Sequence, residues 1–167
     1  KIFYHDEEVS FYSDAWQTKI RRERVGFIFQ QYNLLPQFSS WENVSLPLLC
    51  RSLSKSKRKE QAAQIMSHLG LEKRLEFRVA HLSGGEQQRV AIARALITNP
   101  EIIFADEPTA SVDDETAASI MEVFKTLKKE GKTIIISTHD RSLMKEGTAF
   151  AALKNGVVTK VQRESIC

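Results

Sequence analysis

The chain has 167 residues, 42% of them hydrophobic and 27% charged, which leaves room for one domain with a proper core. A net charge of +3 is too small to point to nucleic acid, and no nucleic-acid partner is expected. Cys50 and Cys167 stand alone, giving neither a disulfide framework nor a metal-ligand spacing, and no apolar run approaches the roughly 20 residues of a membrane span.

The chain opens without methionine on "KIFY", a strand-like run that reads as the middle of a longer sequence. "VGFIF" at Val25–Phe29 is the next strand, and Gln30-Gln31 follows it. Between Asn33 and Arg78 the strand pattern stops, and Ala62, Ile65, Met66 and Leu69 recur at helical spacing. This segment reads as a helical insertion, with the basic run "SKSKRKE" from Ser54 as a solvated helix start. "LSGGEQQRVAIARAL" then places a serine and two glycines before an amphipathic helix that Asn99-Pro100 terminates. Such a helix start, rich in unpaired N–H groups, suits an anion. Ser83 and Gly85 are expected to be exposed there, so that substitution would spare the fold.

"EIIFA" at Glu101–Ala105 and "KTIIIS" at Lys132–Ser137 are near-continuous β-rich runs, as expected of parallel strands buried on both faces. The helix between them, Asp114 to Glu130, shows Ile120, Phe124 and Leu127 on one face, with Asp113 or Asp114 as its cap and Gly131 as its stop. The resulting β-α-β unit belongs to a doubly wound sheet. "TAFAALKNGVVTKV" carries Asn155-Gly156 between apolar runs and predicts a β-hairpin.

Three strand ends thus offer polar groups to one sheet edge, where α/β proteins place ligands. Asp106 and Glu107 end the second of them; an aspartate there suits a cation, and a neighbouring glutamate could take a proton from water. A solvated acidic turn is the plainer alternative. His139, two residues beyond Ser137, could reach a phosphate oxygen or a water, or simply cap the loop. Gln30 could orient a water or sit in a metal's outer shell.

"LSGGEQQR" resembles the signature loop of ATP-binding cassette (ABC) ATPases. "IIFADEP" resembles their Walker B strand with the catalytic glutamate, "SVDD" their D-loop, "STHD" their switch histidine and "FIFQ" their Q-loop. The five follow the family's order and spacing over nearly the whole chain. The wording of "FIFQQYNLLPQFSSWENVSLPLL" is similar to bacterial cassettes for macrolide export, lipoprotein release and antimicrobial-peptide efflux.

The resemblance implies an α/β fold: a partial P-loop NTPase (RecA-like) core with a parallel sheet, an inserted α-helical subdomain and a C-terminal β-hairpin. Residues 1–167 would be one cassette domain without its N-terminal part, with 31–97 as the helical subdomain and 1–30 and 98–167 as core portions. It further implies ATP and Mg²⁺ as cofactors. Asp106 would hold Mg²⁺, Gln30 would sense the metal and the lytic water, Glu107 would be the general base, and His139 would touch the γ-phosphate. Ser83, Gly84, Gly85 and Gln87 would meet the nucleotide of the opposite subunit in a head-to-tail dimer, with Asp113 at the interface. A transmembrane permease subunit would be the other partner, on the cytoplasmic face of a bacterial plasma membrane. A non-transport cassette protein and a non-catalytic interaction module remain as alternatives.

One family element is missing. Among the seven glycines only Gly131-Lys132-Thr133 has the ending of a phosphate loop. Thr126 stands where the loop's first glycine belongs, and a helix precedes the triplet. The phosphate loop is therefore expected upstream of Lys1, and the chain alone is expected to be inactive.

Overall fold

The computed structural model describes residues 1–140 and 143–163, which fall into two compact units, Lys1–Ser137 and Thr138–Cys167. The first unit opens with a two-stranded antiparallel ribbon, β1 (Phe3–Tyr4) and β2 (Glu7–Glu8). Only two residues of "KIFY" are therefore strand. Helix α1 (Asp14–Arg24) follows, capped by Ser13 and closed by Arg21, Arg22 and Arg24, and runs directly into β3 (Val25–Ile28). Helix α1 is not announced by the hydrophobic pattern of the chain. It has no buried residue, so it lacks the apolar stripe by which helices are read. Its start and stop signals, Ser13-Asp14 and the terminal arginines, were available.

The ribbon is held to the sheet by polar groups. The Tyr4 hydroxyl donates to Glu101, and Arg24 reaches both Tyr4 and Glu101 at 3.0 Å. Those contacts hold the Glu101 carboxyl below the usual carboxylate range, the Tyr4 hydrogen bond foremost.

The expected helical segment comprises α2 (Ser40–Ser45), a 3-10 turn at Leu46–Cys50, α3 (Lys55–His68) and short 3-10 turns at Glu72–Arg74 and Val79–His81. Lys55 and Lys59 lie over the Trp41 ring, so part of the basic run stacks on α2. Helix α4 (Gly84–Leu96) leads to β4 (Ile102–Asp106), α5 (Asp114–Lys129) and β5 (Thr133–Ser137). Asp113, not Asp114, caps α5.

Strands β3, β4 and β5 form one parallel sheet in that order, with Ile28 opposite Ala105 and Asp106 opposite Ser137. One face carries Ile28, Ile103 and Ala105 into a core shared with Ile92 and Ala95 of α4 and Ile120, Phe124 and Leu127 of α5. The other face is open, correcting the expectation of strands buried on both faces. Phe27, Phe104 and Ile135 align in one row across it, 38%, 38% and 46% exposed. The Phe27 and Phe104 rings stack with centroids 5.5 Å apart.

Gly26 sets how closely α4 lies on β3. A Cβ there would stand 2.5 Å from the Ala95 carbonyl oxygen and 3.1 Å from Pro100 Cγ. Neither neighbour is the end of a flexible side chain. Gly26→Ala should therefore push α4 off the sheet and cost about 1–3 kcal/mol, a fall of roughly 3–10 °C in melting temperature. An unchanged melting curve would show that this contact relaxes freely.

In the second unit, β6 (Ala149–Lys154) and β7 (Val157–Arg163) form the expected antiparallel hairpin. Asn155 and Gly156 turn it with φ of 51° and 76°, the left-handed pair that a two-residue hairpin turn requires. The Cys167 position lies outside the described residues.

Candidate functional site

The carboxyl edge of the parallel sheet is where the first group of candidate residues meets. Because β3 and β4 are parallel neighbours in register, the chain leaves β3 toward Gln30 at the same edge where Asp106 ends β4. Asp106 is exposed, and its Oδ1 accepts a hydrogen bond from the Ser137 hydroxyl across the β4–β5 pair. Glu107 follows at φ 45°, a left-handed backbone that a non-glycine residue adopts only under constraint. Its N–H donates to the Ser137 carbonyl at 2.9 Å. The strand is thus held to its last residue, and the chain then bends sharply, turning Glu107 off the sheet. His139 lies two residues beyond β5, in the second unit, where the Asp140 N–H donates to Thr138 Oγ1 at 3.0 Å.

The start of α4 forms the second group. Ser83 caps it: Ser83 Oγ accepts from the Glu86 N–H at 3.3 Å, and Glu86 reaches back to the Ser83 N–H at 2.9 Å. Arg74 donates to Glu86 at 2.6 Å, and this hydrogen bond above all keeps the Glu86 carboxyl below its usual range. Gly84 and Gly85, in the first turn, keep N–H groups with no acceptor inside the helix. Gln87 folds back, its amide donating to the Leu82 carbonyl at 3.0 Å.

The two glycines differ in a way their sequence does not show. A Cβ on Gly84 meets nothing closer than 3.4 Å, whereas one on Gly85 would sit 2.9 Å from Thr116 of α5. Gly85 is therefore only half-exposed and packs within its own chain, and substitution there strains the fold. This corrects the expectation that Gly85 could be changed without structural cost; Ser83, as a cap, also contributes about 1 kcal/mol.

The loop segments are tied together around this helix. The Tyr32 hydroxyl, two residues past Gln30, donates to the Ser111 carbonyl at 3.3 Å. Tyr32 and Asn33 both have left-handed backbones, at φ 60° and 49°. Arg94 of α4 secures them, donating to the carbonyls of Tyr32 (2.6 Å) and Asn33. Further on, the buried Asn43 amide accepts from the Leu35 N–H at 2.7 Å and donates to the Leu35 and Ser39 carbonyls, both at 3.0 Å. Asp113 uses both oxygens on α5, accepting from the Thr116 N–H and hydroxyl. Those bonds lower its pKa, the Thr116 N–H most.

Sequence reasoning missed Tyr32, Asn43, Gln88 and Arg94. Gln88 had a signal. It shares a helix face with Ala91, Ile92 and Ala95, so its burial was predictable, and a buried amide needs a partner.

Asp106 and Glu107 supply oxygen ligands, the chemistry that Mg²⁺ prefers. Among the described residues no three His, Cys, Asp or Glu side chains gather into a metal cage. A nucleotide-bound Mg²⁺ needs only one or two carboxylates beside the phosphates, so the donor set fits.

The family described as "ABC transporter" matches residues 1–110. Among curated proteins, an uncharacterized ABC transporter ATP-binding protein of Thermotoga maritima is 40% identical over 99% of this chain and 71% of its own length. The lipoprotein-releasing system ATP-binding protein of Idiomarina loihiensis is 41% identical over 97% of this chain and 72% of its own. The macrolide export ATP-binding/permease protein of Bdellovibrio bacteriovorus is 42% identical over 93% of this chain and 24% of its own. A solved dimeric ATP-binding cassette in a post-hydrolysis state, bound to ADP and Pi, superposes with a TM-score of 0.86 at 38% identity, over 96% of this chain and 72% of that one.

Proposed function

The chain belongs to the ABC transporter family as an ATP-binding cassette of such transporters, and from that premise we propose that it couples ATP hydrolysis to transport across the cytoplasmic membrane. The observation that carries the reading is the convergence of loops on one region: Gln30 and Asp106-Glu107 at one sheet edge, with Tyr32 bonded to the turn before Asp113. The relatives' printed roles, lipoprotein release and macrolide export, favour an outward-moving substrate.

In this reading Asp106 holds Mg²⁺, whose contribution is to neutralise charge on the β- and γ-phosphates. Glu107 accepts the proton of the attacking water, and Gln30 orients that water. His139 donates to the γ-phosphate. Ser83, with the N–H groups of Gly84 and Gly85, faces the γ-phosphate held by the opposite subunit, flanked by Gln87, while Asp113 lies at the dimer interface. The solved dimeric cassette supports a dimeric assembly, and the head-to-tail arrangement is part of this reading.

Residues 31–97 act as the helical subdomain, and the groove between it and the Gln30 segment receives a helix of a membrane-spanning permease. Leu35, Phe38 and Phe77, each more than a third exposed, lie in these segments. Among the described residues no helix is long and apolar enough to cross a membrane, so such a partner would provide the span. The reading places the cassette on the cytoplasmic face.

The test exploits the room at Gly84. Gly84→Asp adds a negative charge at a helix N-terminus, where it does not harm the helix but repels phosphate. Intact means the chain joined to a phosphate loop of the Gly-x-x-x-x-Gly-Lys-Ser/Thr type. In the intact protein, a Gly84→Asp subunit paired with a Glu107→Gln subunit should keep one working site. That site has its own Glu107 and the partner's unaltered signature loop. A doubly substituted subunit paired with wild type should have none, a loss of about 10²- to 10³-fold against the first pair. The reverse order of activities would overturn action across the dimer.

A further inference from the structure

Gln88 lies in the middle of α4 with 1% of its surface exposed. Its Nε2 donates to the carbonyl oxygen of Pro108 at 2.6 Å, while its Oε1 is buried with no hydrogen-bond partner among the described residues. A purely packing role does not account for this amide. Leucine or methionine would fill the space without leaving an orphaned acceptor, which is costly in a core.

The Pro108 carbonyl belongs to the residue directly after Glu107. Proline has no N–H, so the backbone at 108 can be held only through that carbonyl. Nearby backbone bonds include the Glu107 N–H to Ser137 at 2.9 Å and the long Ala110 N–H to Glu107 at 3.2 Å. Glu107 itself is in a left-handed conformation that its surroundings must impose. Gln88 supplies the short bond that fixes the chain on the far side of this bend.

Gln88 also lies one helical turn after Gly84, on the same rigid element as the signature loop. Any movement of α4 along or about its axis is therefore transmitted to the Pro108 carbonyl. Six residues on, Arg94 holds the carbonyls of Tyr32 and Asn33, so the Gln30 segment rides on the same helix.

We propose that Gln88 is a positioning residue, which ties the Glu107 loop of one nucleotide site to the signature loop that the same subunit presents to the other site. The proposal rests on the ATPase reading above and adds to it a mechanical link through one amide. Engagement of the signature loop by the partner's nucleotide would then set the aim of the subunit's own general base.

The experiment compares Gln88→Leu and Gln88→Glu with wild type in the intact protein. Gln88→Leu should lower kcat about 10- to 100-fold, the scale of a misplacement of about 1 Å, with KM for ATP changed less than about twofold. Its melting temperature should hold, since the orphaned acceptor disappears along with the bond. Hydrogen exchange should speed up at residues 107–112 while α4 stays protected. In Gln88→Glu the carboxyl can donate to Pro108 only when protonated, a form that burial favours. Its kcat relative to wild type should therefore rise as pH falls, whereas the ratio for Gln88→Leu stays flat. Wild-type kcat in Gln88→Leu, unchanged exchange at 107–112, or a flat Gln88→Glu ratio would overturn the proposal. A wild-type protein without ATP turnover would defeat the ATPase reading, and with it the coupling, even if the exchange result confirmed the tether itself.

Discussion

Glu107→Gln in the intact protein should cut ATP turnover by about 10²- to 10⁴-fold while nucleotide still binds. The amide keeps the shape of the side chain, and the φ of 45° at this position is no harder for glutamine than for glutamate. What it loses is the ability to take a proton from water. In the proposed site it would also remove a negative charge facing the phosphates, so the ATP-bound dimer should persist longer and elute as a dimer in size-exclusion chromatography. Turnover and elution are to be measured on the same preparation. Wild-type turnover would remove Glu107 from the mechanism.

Residues 1–167 alone should show no measurable ATP hydrolysis. In the proposed reading Asp106, Glu107 and His139 would offer a metal ligand, a base and one polar contact, but the sequence contains no loop of the Gly-x-x-x-x-Gly-Lys-Ser/Thr type. That loop supplies a nest of N–H groups, a lysine charge and a hydroxyl ligand for Mg²⁺. Several charge-assisted contacts of roughly 1.5–3 kcal/mol each exceed what a micromolar affinity can lose. The open row of Phe27, Phe104 and Ile135 adds a second expectation, self-association of the isolated chain. Calorimetric titration with Mg-ATP and a phosphate-release assay test this directly. Micromolar binding, or turnover that Glu107→Gln abolishes, would contradict it.

The parts of the site set by local chemistry were legible in the sequence. The apolar run before Asp106-Glu107-Pro108 marks a strand and its end, and an aspartate before a strong helix, Asp113 or Asp114, is a cap by its chemistry. The α4 start was visible for the same reason: Ser83 and Glu86 form a capping box whose pattern lies within four residues. What escaped depends on groups far apart in the chain. Gln88 finds Pro108 twenty residues away, and Arg94 grips carbonyls some sixty residues earlier. The open sheet face was misread because "EIIFA" and "KTIIIS" are apolar at nearly every position. An aromatic exposed face then looks like a second buried one. The difference between Gly84 and Gly85 arises only once α5 is packed, when Thr116 comes to rest against one and not the other.

The left-handed backbone at Glu107 has a consequence for anyone improving this protein by selection. A glycine would occupy φ 45° without steric penalty, so at position 107 the fold and the proposed chemistry favour different residues. A library screened for heat resistance alone would drift toward glycine there and return variants that survive heating but no longer cleave ATP. Only a screen that also rewards catalysis would keep the carboxylate, which makes position 107 an internal control for whether such a screen is reading function at all.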